Sequence, residues 1–91
     1  MIRRFTVIGK SMEPTYREGD VVLTVLPRRL RINDVVVCRD PRDERRMILK
    51  RITRQKNDSS YDVRGDNERA STDSRVFGSL VKKNILGKVV F

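Results

Sequence analysis

The chain has 91 residues, with 21 lysines and arginines against 12 aspartates and glutamates, a net charge of +9, one cysteine and no histidine. That length holds one domain, residues 1–91, and too little chain for a second core. The missing imidazole excludes a Ser-His-Asp triad within the chain, and a single thiol leaves neither an internal disulfide nor a zinc-type ligand set, so no metal or other cofactor is expected.

Met1-Ile2-Arg3-Arg4-Phe5 has no apolar core of a secretory signal, and no apolar run approaches the roughly 18 residues of a membrane span. With Met1 as the native start the protein is expected to be soluble and cytoplasmic. With an N-terminal anchor removed it would be membrane-associated.

Phe5 to Ile8 is a short β-type run ending at Gly9, and Pro14 prevents a strand from continuing past Ser11. A turn or single helical turn is expected from Met12 to Arg17. Glu18-Gly19-Asp20 is a turn, Val21 to Leu26 a strand stopped by Pro27, and Val35 to Cys38 a strand entered through Asn33-Asp34. Asp40 to Glu44 reads as a polar hairpin loop, Arg46 to Thr53 as a strand, and residues 54–60 as polar and turn-like. Tyr61 to Arg64 alternates with a period of two before Gly65-Asp66-Asn67. A serine-rich loop, Ser71 to Ser74, precedes Val76-Phe77-Gly78, and Ile85 to Phe91 is a final strand. Short strands separated by turns predict an all-β fold, a small twisted sheet or partly closed barrel.

The positive charge is concentrated in the middle: residues 28–56 carry 11 basic and 4 acidic groups, against 4 and 3 before them and 6 and 5 after. It is broken by Asp34, Asp40, Asp43 and Glu44 and lacks the interleaved aromatics on which single-strand binders stack bases. A solvated basic surface, able to attract an acidic partner or anionic lipid, is favoured over nucleic-acid recognition. Cys38, within Val35-Val36-Val37-Cys38, reads as a small buried strand residue.

Chemistry points to Gly9-Lys10-Ser11-Met12-Glu13-Pro14. Ser11 falls on a strand-to-turn transition, where backbone amides are left free to face a developing oxyanion. A serine hydroxyl needs a base, and without histidine that base is a carboxylate, a terminal amine or a lysine. A lysine serves only when burial lowers its pKa enough to leave a neutral amine. Lys50, within Met47-Ile48-Leu49-Lys50-Arg51-Ile52, has apolar neighbours that could do this.

Four stretches, in order, resemble the S26 signal-peptidase-like serine peptidases: Gly9 to Thr15, Gly19 to Leu23, Leu49 to Ile52, and Gly65 to Gly78. The resemblance implies a fold of the signal-peptidase catalytic-core type, with Ser11 as nucleophile and Lys50 as general base. It also implies that Ser71 hydrogen-bonds the lysine, that Asp73 and Arg75 pair to hold their loop, and that Asp66 and Asn67 shape the preceding turn. Many signal peptidases carry a hydroxyl residue two positions before the nucleophile. Here that position is Gly9, so the oxyanion hole would rest on backbone amides, that of Ser11 included. The Gly-x-Pro-Gly-Asp turn and inserted domain that often follow the lysine are absent.

Small size, the Asp-Pro-Arg loop, and Ala-Ser-Thr-Asp-Ser-Arg with Phe-Gly look most like the nickel-type superoxide dismutase maturation protease branch. The implied partner is a precursor with an N-terminal leader peptide, a nickel superoxide dismutase, cleaved through an acyl-enzyme. The catalytic core of a signal peptidase I, a self-cleaving repressor-type peptidase domain, and a non-catalytic basic binding module are the alternatives.

Overall fold

The structure, a computed structural model, describes residues 1–91. Seven strands are β1 (Arg3–Thr6), β2 (Val21–Val25), β3 (Val35–Asp40), β4 (Asp43–Asn57), β5 (Ser60–Arg64), β6 (Leu80–Val81) and β7 (Ile85–Val89), with one helical turn, α1 (Ser74–Phe77). They form one antiparallel sheet in the order β1-β2-β7-β3-β4-β5-β6. The sheet does not close, so the fold is the all-β twisted sheet of the two forms expected. No helix is long and apolar enough to cross a membrane.

β3 lies between β7 and β4, and its run of Val35, Val36, Val37 and Cys38 is buried on both faces. This is why it reads as a continuous apolar run rather than an alternating one. The period of two then divides the core. Val36, Cys38 and Ile52 pack with Leu30, Tyr61, Val63, Leu80 and Ile85 in one cluster, while Val35, Val37 and Leu49 pack with Val7, Met12 and Val22 in another. β4 feeds both clusters, Ile52 entering the first and Leu49 the second, and Lys50 lies between these two residues along the strand.

Several boundaries differ from those expected. β4 runs from Asp43 to Asn57, taking in Asp43 and Glu44 of the residues read as a hairpin loop and most of those read as turn-like. Its ends are polar because they are solvent-exposed, and the reversals themselves need only Pro41-Arg42 and Asp58-Ser59. Asp40 Oδ1 accepts from the Arg42 N–H at 2.9 Å and Asn57 Oδ1 from the Ser59 N–H at 2.9 Å. Such Asx bonds make a tight turn out of two residues.

At the N-terminus β1 starts at Arg3 and ends at Thr6, because Val7 turns to bond the Gly19-Asp20 segment, its N–H donating to Asp20 O at 2.8 Å. Val76 and Phe77 lie in α1, which begins where the Asp73 carboxylate caps the Arg75 N–H. The two-residue β6 and the single 3-10 turns at Glu68–Ala70 and Lys82–Asn84 carry no periodic signal.

Candidate active site

Ser11 lies in the reversal between β1 and β2. Gly9 enters that reversal at φ +80, a left-handed conformation that glycine adopts without steric penalty, and its N–H donates to Glu18 Oε2 at 3.0 Å. The Tyr16 N–H donates to Met12 O at 2.9 Å, closing one helical turn. Two clamps then fix the loop to the segment after β5. Ser11 O accepts from the Asn67 N–H at 2.8 Å, and Lys10 O from Asn67 Nδ2 at 3.1 Å. The Ser11 N–H has no acceptor within the protein.

The second clamp is ionic. Arg51 donates through Nε and Nη2 to the two Asp66 oxygens at 2.9 and 2.8 Å, and through Nη1 to Asn33 O at 2.9 Å. Thr15 Oγ1 adds a 2.6 Å bond to Asp66 Oδ2. The Arg51 hydrogen bonds hold the Asp66 carboxyl below its ordinary range. Fork-to-fork pairing of this kind supplies orientation as well as energy. Replacing Arg51 by methionine is expected to lower stability by about 1–3 kcal/mol, measured as the urea midpoint. Because Asp66 then loses the partner that joins β4 to the Ser11 loop, exchange of the Tyr16 and Asn67 amides, which bond Met12 O and Ser11 O, should rise more than that of the β3 amides.

Lys50 is only 3% exposed. Burial pushes its pKa down, opposed by the negative charge of Asp73 and by Cys38 and Asp40, and assisted by the positive charge of Arg46. Its ammonium donates to Ser71 Oγ at 3.2 Å. Ser71 Oγ in turn donates to Asp73 Oδ2 at 2.9 Å, so its own proton points away from the lysine and its oxygen is left as an acceptor.

Asp73 is fully buried and also accepts from the Gly65 N–H at 3.1 Å and from Arg75 N, Nε and Nη2 at 3.1, 2.9 and 3.0 Å. Burial pushes its carboxyl up, and the bonds from Arg75, Gly65 and Ser71 overcome that and hold it well below the usual range. A line of contacts therefore runs Arg75–Asp73–Ser71–Lys50. Gly65 makes the approach of the two loops possible. A Cβ there would overlap Ser71 Oγ and lie 2.5 Å from Ser11 O and 2.7 Å from Ser71 Cβ.

Ser11 and Lys50 line one cleft of about 710 Å³, whose walls include Phe5 and Ile8 on one side and Met47 and Ile48 on the other. Ile8 is 77% and Met47 51% exposed, so the cleft offers apolar side chains to whatever enters it. The hydrogen bond made by the Lys50 amine goes to Ser71 rather than Ser11; contacts between a nucleophile and its base are commonly long in an empty site.

Of the seven side chains singled out in the sequence, five lie together, and Asp66 and Asn67 hold the Ser11 loop from the segment after β5. Ser11 and Lys50 share the cleft, Ser71 touches Lys50, and Asp73 and Arg75 stand behind Ser71. Three further groups went unrecognised: Thr15, Arg51 as partner of Asp66, and Gly65 as the point of closest approach. Arg51 and Asp66 lie within the stretches that carry the resemblance, but their pairing becomes visible only once Arg51 is set opposite Arg64 in the β4–β5 ladder.

Cys38 is fully buried, as expected, and burial pushes its thiol up to about 12. The native protein is therefore expected to resist iodoacetamide at pH 8 and to be alkylated once unfolded, a difference read by intact mass. Alkylation of the native protein would contradict this burial.

A model of the Peptidase S24-like family matches residues 4–90. The Arabidopsis thaliana "Mitochondrial ATP-independent inner membrane protease subunit 1a" is 37% identical over 110 aligned positions, covering 92% of this chain and 66% of that protein. The Mus musculus "Mitochondrial inner membrane protease subunit 1" is 30% identical over 106 positions, covering 91% of this chain and 64% of that protein. The chain thus spans a little under two thirds of the length of each. A family match running from β1 to the end of the sheet, over a cleft that joins an unpaired serine amide to a buried lysine, leaves one conclusion: the chain belongs to the Peptidase S24-like family.

Proposed function

We propose that the protein is a serine endopeptidase in which Ser11 attacks a peptide carbonyl and Lys50 is the general base. The observation that carries this reading is the buried lysine. Its amine is driven toward the neutral form, held by Ser71, and set in the same cleft as the serine. In the acylation step Lys50 takes the Ser11 proton as Oγ bonds the carbonyl carbon. The resulting ammonium gives that proton to the leaving amine as the C–N bond breaks. In deacylation Lys50 takes a proton from water, the hydroxyl adds to the ester carbon, and Ser11 leaves with the proton returned. The Ser11 N–H, without an acceptor in the protein, is available to the carbonyl oxygen as charge builds on it.

The substrate is a polypeptide lying extended in the cleft, where strand-like main-chain bonds give affinity and shallow apolar walls read side chains. The specific substrate we propose is the leader peptide of a nickel superoxide dismutase precursor, supported by the likeness of the Asp40-Pro41-Arg42 loop and the 70–78 stretch to that maturation protease branch. A second reading, the catalytic core of a signal-peptidase-like membrane protease acting on exported precursors, is favoured by the two relatives, both named as inner membrane proteases. Association with a membrane surface would accompany it, and a cytoplasmic location the first. Incubation with a nickel superoxide dismutase precursor and a secretory preprotein in competition separates the two, with products read by mass spectrometry. Cleavage at the dismutase leader junction alone supports the first reading, and cleavage of the preprotein alone supports the second.

A further inference from the structure

β5 pairs with β4 only from Arg51 onward, so the part of β4 before Lys50 is paired with β3 alone and its other edge is free at the cleft. Within that part the ladder slips. Met47 faces Arg39 and Asp43 faces Asp40, so Glu44, Arg45 and Arg46 are inserted on β4. A bulge beside a site redirects the side chains it carries. Here it carries arginines into the wall of the cleft that holds Ser11 and Lys50.

The cations of that wall differ in what they already hold. Arg42 is 3.2 Å from the Asp40 carboxylate and lies over the Phe77 ring, 5.7 Å from its centroid. Arg45 pairs loosely with Asp43 at 3.8 Å. Arg46 has neither a salt bridge nor a side-chain hydrogen bond within the chain. It is a fork-shaped donor set in a binding cleft without an acceptor, and its charge is already felt at Asp40 and Lys50.

We infer that Arg46 reads a carboxylate of the bound peptide, an aspartate or glutamate placed three to five residues from the bond that is cut. This rests on the reading that the cleft binds an extended peptide at Ser11. Arg46 precedes Lys50 by four residues on one strand, about 13 Å at roughly 3.3 Å per residue, and an extended peptide covers that span with the same number of residues.

The test uses fluorescein-labelled twelve-residue peptides of one neutral sequence, in which a single Glu, Gln or Lys is walked through every position. Binding to the Ser11→Ala protein is measured by anisotropy, and cutting by the wild type is followed in parallel by mass spectrometry. Glu is expected to bind about two- to fivefold tighter than Gln at positions clustered on one side of the centre, with the difference vanishing at high salt. Arg46→Glu should transfer the preference to Lys. Arg54→Glu, which makes the same change of net charge on the far half of β4, should leave it with Glu.

A Glu preference that survives Arg46→Glu, one that Arg54→Glu also reverses, equal binding of Glu and Gln peptides, or no binding at all would overturn the inference. Cutting of the peptides without regard to charge would overturn it while leaving the peptidase reading intact. Charge-selective binding without any cutting would uphold it and count against the peptidase.

Discussion

Replacing Lys50 by methionine is expected to abolish cleavage while making the fold more stable at neutral pH. The two effects share one cause. Lys50 is buried on β4, but its ammonium pays a desolvation penalty there that one hydrogen bond to Ser71 and the charges of Asp73 and Asp40 do not cancel. Methionine keeps most of the packing and removes the charge. Ser71 still donates to Asp73, so no buried donor is orphaned.

A gain of about 1–2 kcal/mol at pH 7 is expected, or several degrees in Tm for a domain of this size. The sign with pH follows from the direction of the shift. The folded-state pKa of Lys50 is lowered from 10.5, so between the folded and unfolded values the unfolded chain binds more protons and the wild type gains stability as pH rises. Below the folded value the penalty is complete. The advantage of Lys50→Met should therefore be largest near neutrality and shrink toward pH 10, which urea unfolding at the two pH values will show. For the same reason kcat/KM of the wild type should climb with pH through the lowered pKa, as the neutral amine is populated. Loss of the lysine should lower the rate by about 10³-fold or more, in the range of a general base that also serves as acid.

Gly65→Ala is expected to lower kcat by about 10²-fold, the scale of an ångström-sized misplacement of reacting groups, and stability by about 1–3 kcal/mol. The added methyl has no room: Ser71 Oγ, Ser11 O and Ser71 Cβ occupy its place, and all three belong to the two residues that must meet Lys50. Relief requires the Ser11 loop and the Ser71 loop to separate, which breaks the Asn67–Ser11 bond or the Ser71–Lys50 bond. Gly87→Ala provides the comparison. Its Cβ would press on Thr24 Cβ and Oγ1, both at 2.9 Å, on strands that do not line the Ser11 cleft. It should lose similar stability with little change in kcat. Equal losses of kcat in the two variants would show that Gly65 acts through general stability alone.

What could be read in advance depended on how local each relation is. The Asp73–Arg75 pair spans two residues and caps a turn, so a sequence motif suffices to suggest it. Ser11 and Lys50 stood out because a hydroxyl at a strand end and a lysine among Ile48, Leu49 and Ile52 are chemically unusual in a chain without histidine. The Arg51–Asp66 clamp and the Gly65 contact depend on β4 lying against β5 and on the Ser11 loop folding across both, which no spacing reveals. The polar ends of β4 were read as loops because polarity is the usual mark of a loop. In this sheet they are strand whose side chains face water while the backbone remains in the ladder.

The most direct measurement is the rate at which wild type, Ser11→Ala and Lys50→Ala cleave one leader-bearing precursor, followed by mass spectrometry with the folding of each protein checked by circular dichroism. The account predicts cleavage at a single junction by the wild type and none by either variant. Cleavage that persists in folded Ser11→Ala or Lys50→Ala would contradict it, since the account assigns the nucleophile to the one and the general base to the other.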